Sequence, residues 1–551
     1  MNKIQVFDIE TFTNFKTFRL IGLYDGVFYR YYTNVDDAIT DMEESGGIWY
    51  AHNGGKFDDR FLYDYLYSRY KLNFIFRNSR FYKITCYRGK SHKKIFEIRD
   101  SYLLLMSSLK SLAIAFNVET LKGEIDYNTS DIPALIAYNK DDCKALYQVL
   151  MRLDEMTTTG LALTIASQAQ REFKADGGHY DDVIRHYELE PALREAYYGG
   201  RVEAFTKVGY SVHLYDINSQ YTTAMMNYFP VGRYYKTETY QPNHLGIYFI
   251  KWERPEHEKY GIFPTRNIHN ALVFSYPSGE GWHCQPEIDR ALKRGYKIEV
   301  ITGVYWKKKR KIFAEVVGEW YKNKSRSKGA IREYYKRLLN SLYGRLGIKE
   351  ESDEIIPGPL SREQIKAGIW TPLDDDGMFF TTRKYLKFQN VYVQLVAFVT
   401  SYARVLLHKL LVNSDALYCD TDSVVSYKDL PSTDDLGGIK LEDTGNYIGI
   451  APKLMCMYEF ENHSLQINHL SAKGFNRSQI TLDMFLEAKQ GYYDNFKTSE
   501  FTLLGQKLCM KKGVSFLTTI ENVRAFRGSP SKDSFPPRLS DSNIITIQDQ
   551  N

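Results

Sequence analysis

The sequence predicts a multidomain α/β protein, and three observations predict it. The chain has 551 residues, a length that at about 150 residues per domain implies three or four units around large cores and excludes a small binding module. With 43% hydrophobic and 25% charged residues and only 16 prolines, the composition is that of a folded chain and not of a disordered one. Up to Leu153, apolar strand-like runs (IQVFDIE, GGIWYAHN, KIFEIRD) alternate with helix-like ones (KSLAIAFNV, PALIAYNKDDCKALYQVLMRL), the pattern of an α/β unit. Residues 155–185 then read as a polar helical connector. YYGGRVEAF follows, then HLYDINSQY as a strand, then a long mixed region that leads into a basic window. The window ends in GAIREYYKRLLNSLYGRLG, which has helical apolar spacing with Gly329 at its start and Gly344 and Gly347 near its end. A loop-rich insert containing PGPL and PLDDDG comes next, followed by the helix QLVAFVTSYARVLLHKLL. ALYCDTDSVVSY reads as a hairpin. No internal repeat is present. The tail from Gly528 is Pro/Ser-rich and reads as loose, with IITIQ as a candidate late strand.

Lys+Arg 72 against Asp+Glu 67 gives a net charge of +5, too mild to name a polyanionic partner. Its distribution is uneven. Lys307 to Arg345 holds 13 Lys/Arg and 3 Asp/Glu, a net +10, so the rest of the chain is acidic. Tyr 44 and Phe 31 are in excess; stacking on nucleic-acid bases and an AT-rich coding genome explain this equally well. The six cysteines, Cys86, Cys143, Cys284, Cys419, Cys456 and Cys509, lie far apart with no CxxC pair, which argues against a zinc site or a disulfide framework and fits a reducing, intracellular compartment. The start MNKIQVFDIE is strand-like and acidic by residue 8, and no uninterrupted run approaches the roughly 18 apolar residues of a membrane span. Neither export nor membrane insertion is expected.

In FDIET, Asp8 and Glu10 are two apart on a predicted strand and project from one face. Such crowding of like charge is costly and a divalent cation relieves it; a solvated Asp-x-Glu on a surface strand is the plainer explanation of that motif alone. Two further segments shift the balance. YAHNGGKFDDRFL supplies Asp58, and YNKDDCKAL places Tyr138 and Asp142 at i,i+4 on one helix face. Four carboxylates and a phenol match phosphodiester hydrolysis assisted by two metals, with Tyr138 orienting the attacking water.

In ALYCDTDSVV, Asp420 and Asp422 flank Thr421 at the predicted hairpin tip, and Asp216 in HLYDINSQY lies on another apolar strand some 200 residues earlier. A lone DTD is more often a solvated turn. The basic helix argues otherwise: Arg332, Lys336, Asn340 and Tyr343 are spaced by 4, 4 and 3, on one face. Two cations, an amide and a flat phenol suit a nucleoside triphosphate.

At these residues the sequence resembles family B DNA polymerases. FDIET, NGGKFDDRF and YNKDD resemble the three exonuclease motifs; YYGGR resembles the YxGG linker motif; DINSQY, KRLLNSLYG and YCDTDS resemble polymerase motifs A, B and C. The resemblance is closer to the protein-primed branch of phages, adenoviruses and linear plasmids. Residue 8 already lies in the first exonuclease motif, leaving no room for the N-terminal domain of cellular members, and LKGEIDYN at 121–128 and TSYAR at 400–404 fit that branch. The 79 residues between Asn340 and Asp420 leave space for an insertion that encloses the template and aids strand displacement. Ala224 to Trp306 would hold another that contacts the priming protein.

The resemblance implies an RNase H-like 3′-to-5′ exonuclease domain with a helical connector over 1–185 and a right-hand polymerase domain over 186–551. Within the latter it implies a palm at about 190–300 and 390–450, fingers at about 307–347, an insertion at about 348–390, and a thumb with C-terminal extension at about 451–551. Asp216, Asp420 and Asp422 resemble the polymerase carboxylates, although in some members one of the last pair only supports the other. Tyr221 resembles the residue that excludes a 2′-hydroxyl. Lys324, Arg332 and Lys336 would hold the triphosphate, with Asn340 and Tyr343 completing the pocket. Asp8, Glu10, Asp58, Tyr138 and Asp142 resemble the proofreading set, while Thr11, Asn53 and Phe57 match positions that hold a single-stranded 3′ end. Tyr197, Gly199, Gly200, Thr400, Arg404, Tyr458 and Lys473 match positions facing DNA. Mg2+ is the implied cofactor, two ions per active site, with Mn2+ as a substitute. The implied partners are primer-template and single-stranded DNA, dNTPs and a terminal protein primer; the enzyme would act as a monomer inside the cell, in the host cytoplasm if viral.

Three departures stand out. Motif A usually reads SLYP and here reads SQYT, so Gln220 and Thr222 alter the packing beside Tyr221. The KxY motif appears as CMY at 456–458, leaving Lys453 and Lys473 as alternatives for its lysine. The stretch after about residue 500 exceeds a minimal thumb. Competing readings are a nucleic-acid-primed repair polymerase, a nucleic-acid-binding protein with decayed sites, and a nuclease whose C-terminal part only grips DNA. Intact carboxylates at seven motif positions argue against decay, because unpaired like charges would only destabilise the fold.

Overall fold

The structure is a computed structural model that describes residues 3–525, apart from short segments at 14–16, 90–92, 121–122, 268–269, 350, 374–378, 386–389, 462–463, 491–496 and 513. The Pro/Ser-rich tail from Gly528 and the IITIQ run lie outside the described residues.

The N-terminal alternation folds into a seven-stranded sheet in the order Tyr29–Tyr32, Phe18–Tyr24, Ile4–Thr11, Gly47–Ala51, Lys94–Asp100, Arg80–Tyr87, Lys71–Arg77. Its three central strands are parallel and its flanks antiparallel. Parallel neighbours need a crossover. One is the helix Val35–Ser45, whose cap Asn34 accepts the Asp36 N–H and which buries Val35, Ala38, Ile39 and Met42. The helix Ile132–Met156 is capped by Asp131 and carries Pro in its first turn. It lies against the strands Ile4–Thr11 and Phe18–Tyr24, bringing Asp142 to Asp8 and Glu10 of the first strand.

A second seven-stranded sheet is antiparallel throughout, in the order Ser464–Ala472, Leu454–Glu461, Ile439–Ala451, Val208–Ile217, Ser423–Ser426, Tyr418–Asp420, Val202–Ala204. ALYCDTDSVVSY forms the expected hairpin. The sheet runs on to Ala472, past the boundary drawn at 451, because Ile439–Ala451 pairs directly with Leu454–Glu461.

The helix Val393–Ser414 packs against this region and is long and apolar enough to cross a membrane by length and composition alone, with 72% of its most apolar stretch buried inside the protein. Counting uninterrupted apolar runs missed it because Arg404, His408 and Lys409 break the run without making the helix polar on average. Its apolar surface is spent on the core, where Leu395, Val396, Phe398, Leu407 and Leu411 are fully buried.

Between the two halves of this sheet, the strands Phe229–Thr237, Lys297–Arg310, Leu245–Glu253 and Ser278–Cys284 form a four-stranded sheet. The basic window continues into the paired helices Ala314–Arg326 and Gly329–Ser341. The insert expected to be loop-rich contains a small sheet of Glu351–Pro357, Phe379–Tyr385 and Thr371–Pro372. Part of the region after residue 500, within the described residues, has a definite place. Leu504, Cys509, Met510, Phe516 and Ile520 join Ile355 and Phe379 in the core of the N-terminal unit, and the buried Arg60 donates to the carbonyls of Leu504 (2.9 Å) and Phe516 (2.5 Å). All six cysteines are free and buried.

Two candidate active sites

The first site forms where the strand Ile4–Thr11 meets the helix Ile132–Met156. Ligand oxygens of Asp8, Glu10 and Asp142 all lie within 4.8 Å of one another, Glu10 and Asp142 being buried. One amide organises two of them: Asn139 Nδ2 donates to Asp8 Oδ2 (3.1 Å), to the Asp8 carbonyl (3.1 Å) and to Glu10 Oε1 (3.3 Å). Asn139 Oδ1 in turn accepts from the Tyr29 hydroxyl at 3.0 Å. Space for this amide comes from Gly22, opposite Asp8 on the neighbouring strand, where an added Cβ would stand 1.8 Å from Asn139 Oδ1. Asp58 lies outside the converging trio. Its Oδ1 accepts the Ile9 N–H at 3.0 Å, and burial, aided by Asp100 and Glu10, pushes its carboxyl up to about 7. Tyr138 is buried, with its hydroxyl 3.2 Å from that of Tyr127. Three crowded carboxylates, two of them held by a single amide, fit a hard divalent cation.

The second site forms at the DTD tip. Asp216 ends the strand Val208–Ile217 opposite Ser423 and Lys440, so the fold brings residues far apart in sequence side by side. Burial raises the Asp216 carboxyl to about 7, with Asp422 and Glu442 adding to it, and burial with Asp420 nearby raises Asp422 to about 6. Asp420 differs. Lys453 Nζ sits 2.8 and 3.0 Å from its two oxygens, so Asp216 and Asp422 are the pair whose mutual repulsion fits a cation. Among the described residues, no cation-sized group of three includes Asp216, Asp420 and Asp422 together. The Lys453 contact sets Asp420 apart from Asp422, in line with one of the two supporting the other.

Beside the pair, Tyr221 stacks on Tyr343 with centroids 4.8 Å apart and planes at 18°. Gly200 lets the YYGG segment pass close by: a Cβ there would stand 2.9 Å from Thr421 Cγ2 and 3.3 Å from the Tyr221 hydroxyl. Arg332, Lys336 and Asn340 line the exposed face of the helix Gly329–Ser341. Lys324 donates to Ser219 Oγ at 2.6 Å; burial first, then Arg332 and Lys336, hold its ammonium below the usual lysine range, the signature of a site built for an anion.

The sequence pattern described as DNA polymerase type B, organellar and viral, matches residues 39–132 and 128–366. This chain belongs to that family. The DNA-directed DNA polymerase of Enterobacteria phage PRD1 is 29% identical over 493 residues, 84% of each chain. A Neurospora intermedia protein described as a probable DNA polymerase is 26% identical over 83% of this chain, which spans 57% of that protein. In fold, the chain superimposes on phi29 DNA polymerase complexed with primer-template DNA and incoming nucleotide, with a TM-score of 0.78, 20% identity and coverage of 96% of this chain and 100% of that one. The chain therefore shares the overall fold of phi29 DNA polymerase across nearly its whole length.

Within that frame several expected DNA contacts are interior groups. Arg404 is buried; it pairs with Glu287 at 2.8 Å and donates to the Tyr198 and Gly199 carbonyls at 2.6 and 3.2 Å, so it holds the YYGG segment and does not present itself to DNA. Thr400 is buried and bonds back to the Ala397 carbonyl of its own helix. Tyr458 is buried within the second sheet. Thr11 is buried, whereas Asn53, Phe57 and Tyr197 are half-buried and Gly199 and Lys473 exposed. Between the two candidate lysines, Lys453 is the one at the site. Asn139 escaped notice because it sits between the recognised Tyr138 and Asp142; a buried asparagine one position from a phenol on a helix face was its only trace.

Proposed function

We propose that this polymerase copies a primed DNA template, edits its product with a 3′-to-5′ exonuclease in the N-terminal unit, and starts synthesis on a linear viral or plasmid genome from a hydroxyl of a terminal protein, displacing the non-template strand. What carries the reading is the presence in one family B chain of two separate carboxylate sites, Asp8–Glu10–Asp142 and Asp216–Asp422, built around two different sheets. The phi29 structures contain primer-template DNA, single-stranded DNA and incoming nucleotide, and the same ligands suit this chain.

In the polymerase site Asp216 and Asp422 would hold Mg2+, which would supply a lowered proton affinity at the attacking hydroxyl and offset charge on the phosphates. Lys324, Arg332 and Lys336 bind the triphosphate and neutralise the departing pyrophosphate. The Tyr221–Tyr343 stack walls the sugar, and alignment of the hydroxyl with the α-phosphate supplies the orientational part of catalysis. In the exonuclease site Asp8, Glu10 and Asp142 would hold the cation, Asn139 fixes two of them, and the Tyr138 hydroxyl would orient a water toward the terminal phosphodiester.

The test has two parts. On a primed template with Mg2+ and dNTPs, the wild-type protein should extend the primer, and Asp8→Ala with Glu10→Ala should abolish 3′-to-5′ degradation while extension continues; unchanged degradation would sink the exonuclease assignment. With proteins encoded beside its gene, labelled dNTP and terminal template, one protein should acquire a covalent nucleotide. Efficient starts from RNA primers with no labelled protein would remove the protein-primed part.

A further inference from the structure

Thr421 and Asp422 share a peptide unit at the very tip of the catalytic hairpin, with Thr421 at a φ of 64°, a left-handed conformation that a β-branched residue adopts only when its surroundings enforce it. Both ends of that peptide are tied. Its N–H donates to the Asp420 carbonyl at 2.7 Å, and its carbonyl, Thr421 O, accepts from Gln220 Nε2 at 2.9 Å. The same Gln220 nitrogen donates to the Ala403 carbonyl of the helix Val393–Ser414 at 3.1 Å. Gln220 is 2% exposed and its Oε1 finds no partner. A leucine would fill this volume without burying an orphaned oxygen, which makes the glutamine an expensive choice unless the bonds matter.

We infer that Gln220 is a positioning residue of the polymerase site: by clamping the Thr421 carbonyl to the buried core helix it fixes the orientation of the peptide that carries Asp422, and so the aim of the Asp422 carboxylate toward Asp216. The inference rests on the reading of Asp216 and Asp422 as the polymerase carboxylates. Other ties hold Thr421 from below, through its N–H to the Arg201 carbonyl at 2.7 Å, and hold Asp422 from beyond, through its carbonyl to the Ile217 N–H at 2.8 Å. Among the described residues Gln220 is the side chain that grips the peptide oxygen between them, so its loss leaves the plane held by the Asp422 N–H alone and loosens it while the strands stay paired. The same clamp sets Thr421 against Gly200 and the Tyr221 hydroxyl, so the sugar wall shares its support.

The test is Gln220→Met, which keeps length and apolar bulk but lacks the N–H, with Gln220→Leu as a second variant should the first fail to fold. In metal-free protein, hydrogen exchange resolved to the segment 418–426 should show the Asp422 amide protected in the wild type and exchanging faster in the variant, with melting temperature nearly unchanged. In the Mg2+-loaded enzyme, kcat for dNTP insertion should fall about 10- to 100-fold, the usual cost of losing a group that orients a metal-binding side chain, with KM for dNTP near its wild-type value and the Mg2+ midpoint raised. Unchanged exchange, or unchanged kcat, overturns the inference, and so does a wild-type Asp422 amide that exchanges without protection. Asp422→Asn is run in parallel: full incorporation by that variant would fault the assignment of the carboxylates, whereas the exchange experiment judges the Gln220 clamp regardless.

Discussion

Replacing Gly22 with alanine should disable the exonuclease site without touching the polymerase site. The new methyl carbon would sit 1.8 Å from Asn139 Oδ1 and 2.8 Å from a ring carbon of Tyr29, both far inside van der Waals contact. The strand is paired on both sides at Gly22, with Asp8 and with Tyr31, so the backbone holds and the asparagine moves. Asn139 is fully buried, and its displacement breaks the donations to Asp8 Oδ2 and Glu10 Oε1. A hydrogen bond to a charged group is worth about 1.5–3 kcal/mol net. Retention of one of the two therefore still leaves a loss equivalent to about ten- to a hundredfold in rate or cation affinity. The assay is degradation of a 5′-labelled single strand in Mg2+, alongside single-nucleotide extension of a primed template. Exonuclease rate should drop by that factor while extension stays at the wild-type level. Wild-type degradation by a folded Gly22→Ala protein would refute the claim that the Asn139 amide organises the carboxylates.

Three further outcomes are expected. Because Lys453 occupies both oxygens of Asp420, Asp420→Asn should retain measurable nucleotide incorporation, whereas Asp422→Asn and Asp216→Asn should abolish it with single-strand degradation intact; equal loss in all three would show that Asp420 is as necessary as the other two. Tyr221→Val removes the ring stacked on Tyr343 and should lower the ratio of kcat/KM for dNTP over rNTP; an unchanged ratio would move the gate to Tyr343. Asp216 and Asp422 have carboxyls pushed up to about 7 and about 6, so their protonated forms favour the fold, and that stability is full below about pH 4 and lost as pH rises through 6 to 7. In EDTA the protein should melt lower at about pH 8 than at about pH 5.5, and Mg2+ should narrow the gap; equal melting temperatures in EDTA would contradict the crowding of these two carboxylates.

The sequence alone brought Asp8, Glu10 and Asp142 into one candidate group, which the structure places together, because spacing carries part of that information locally. Asp8 and Glu10 share a strand face through a period of two, and Tyr138 and Asp142 a helix face through i,i+4. Alternating strands and helices announced the N-terminal sheet for the same reason. Burial and long-range contact were decided only by the tertiary structure. Arg404 and Thr400 look like surface DNA contacts until the helix Val393–Ser414 is seen threading the core, where Arg404 must find Glu287 or remain an unpaired buried charge. The residues after 500 acquire their place only when Arg60 and the aromatic face of the N-terminal unit are beside them. The rank order of Asp420 and Asp422 likewise depends on Lys453, delivered by a hairpin 33 residues downstream. Local periodicity says which way a side chain points, but which partner meets it there depends on how distant segments pack, and no spacing along the chain encodes that distance.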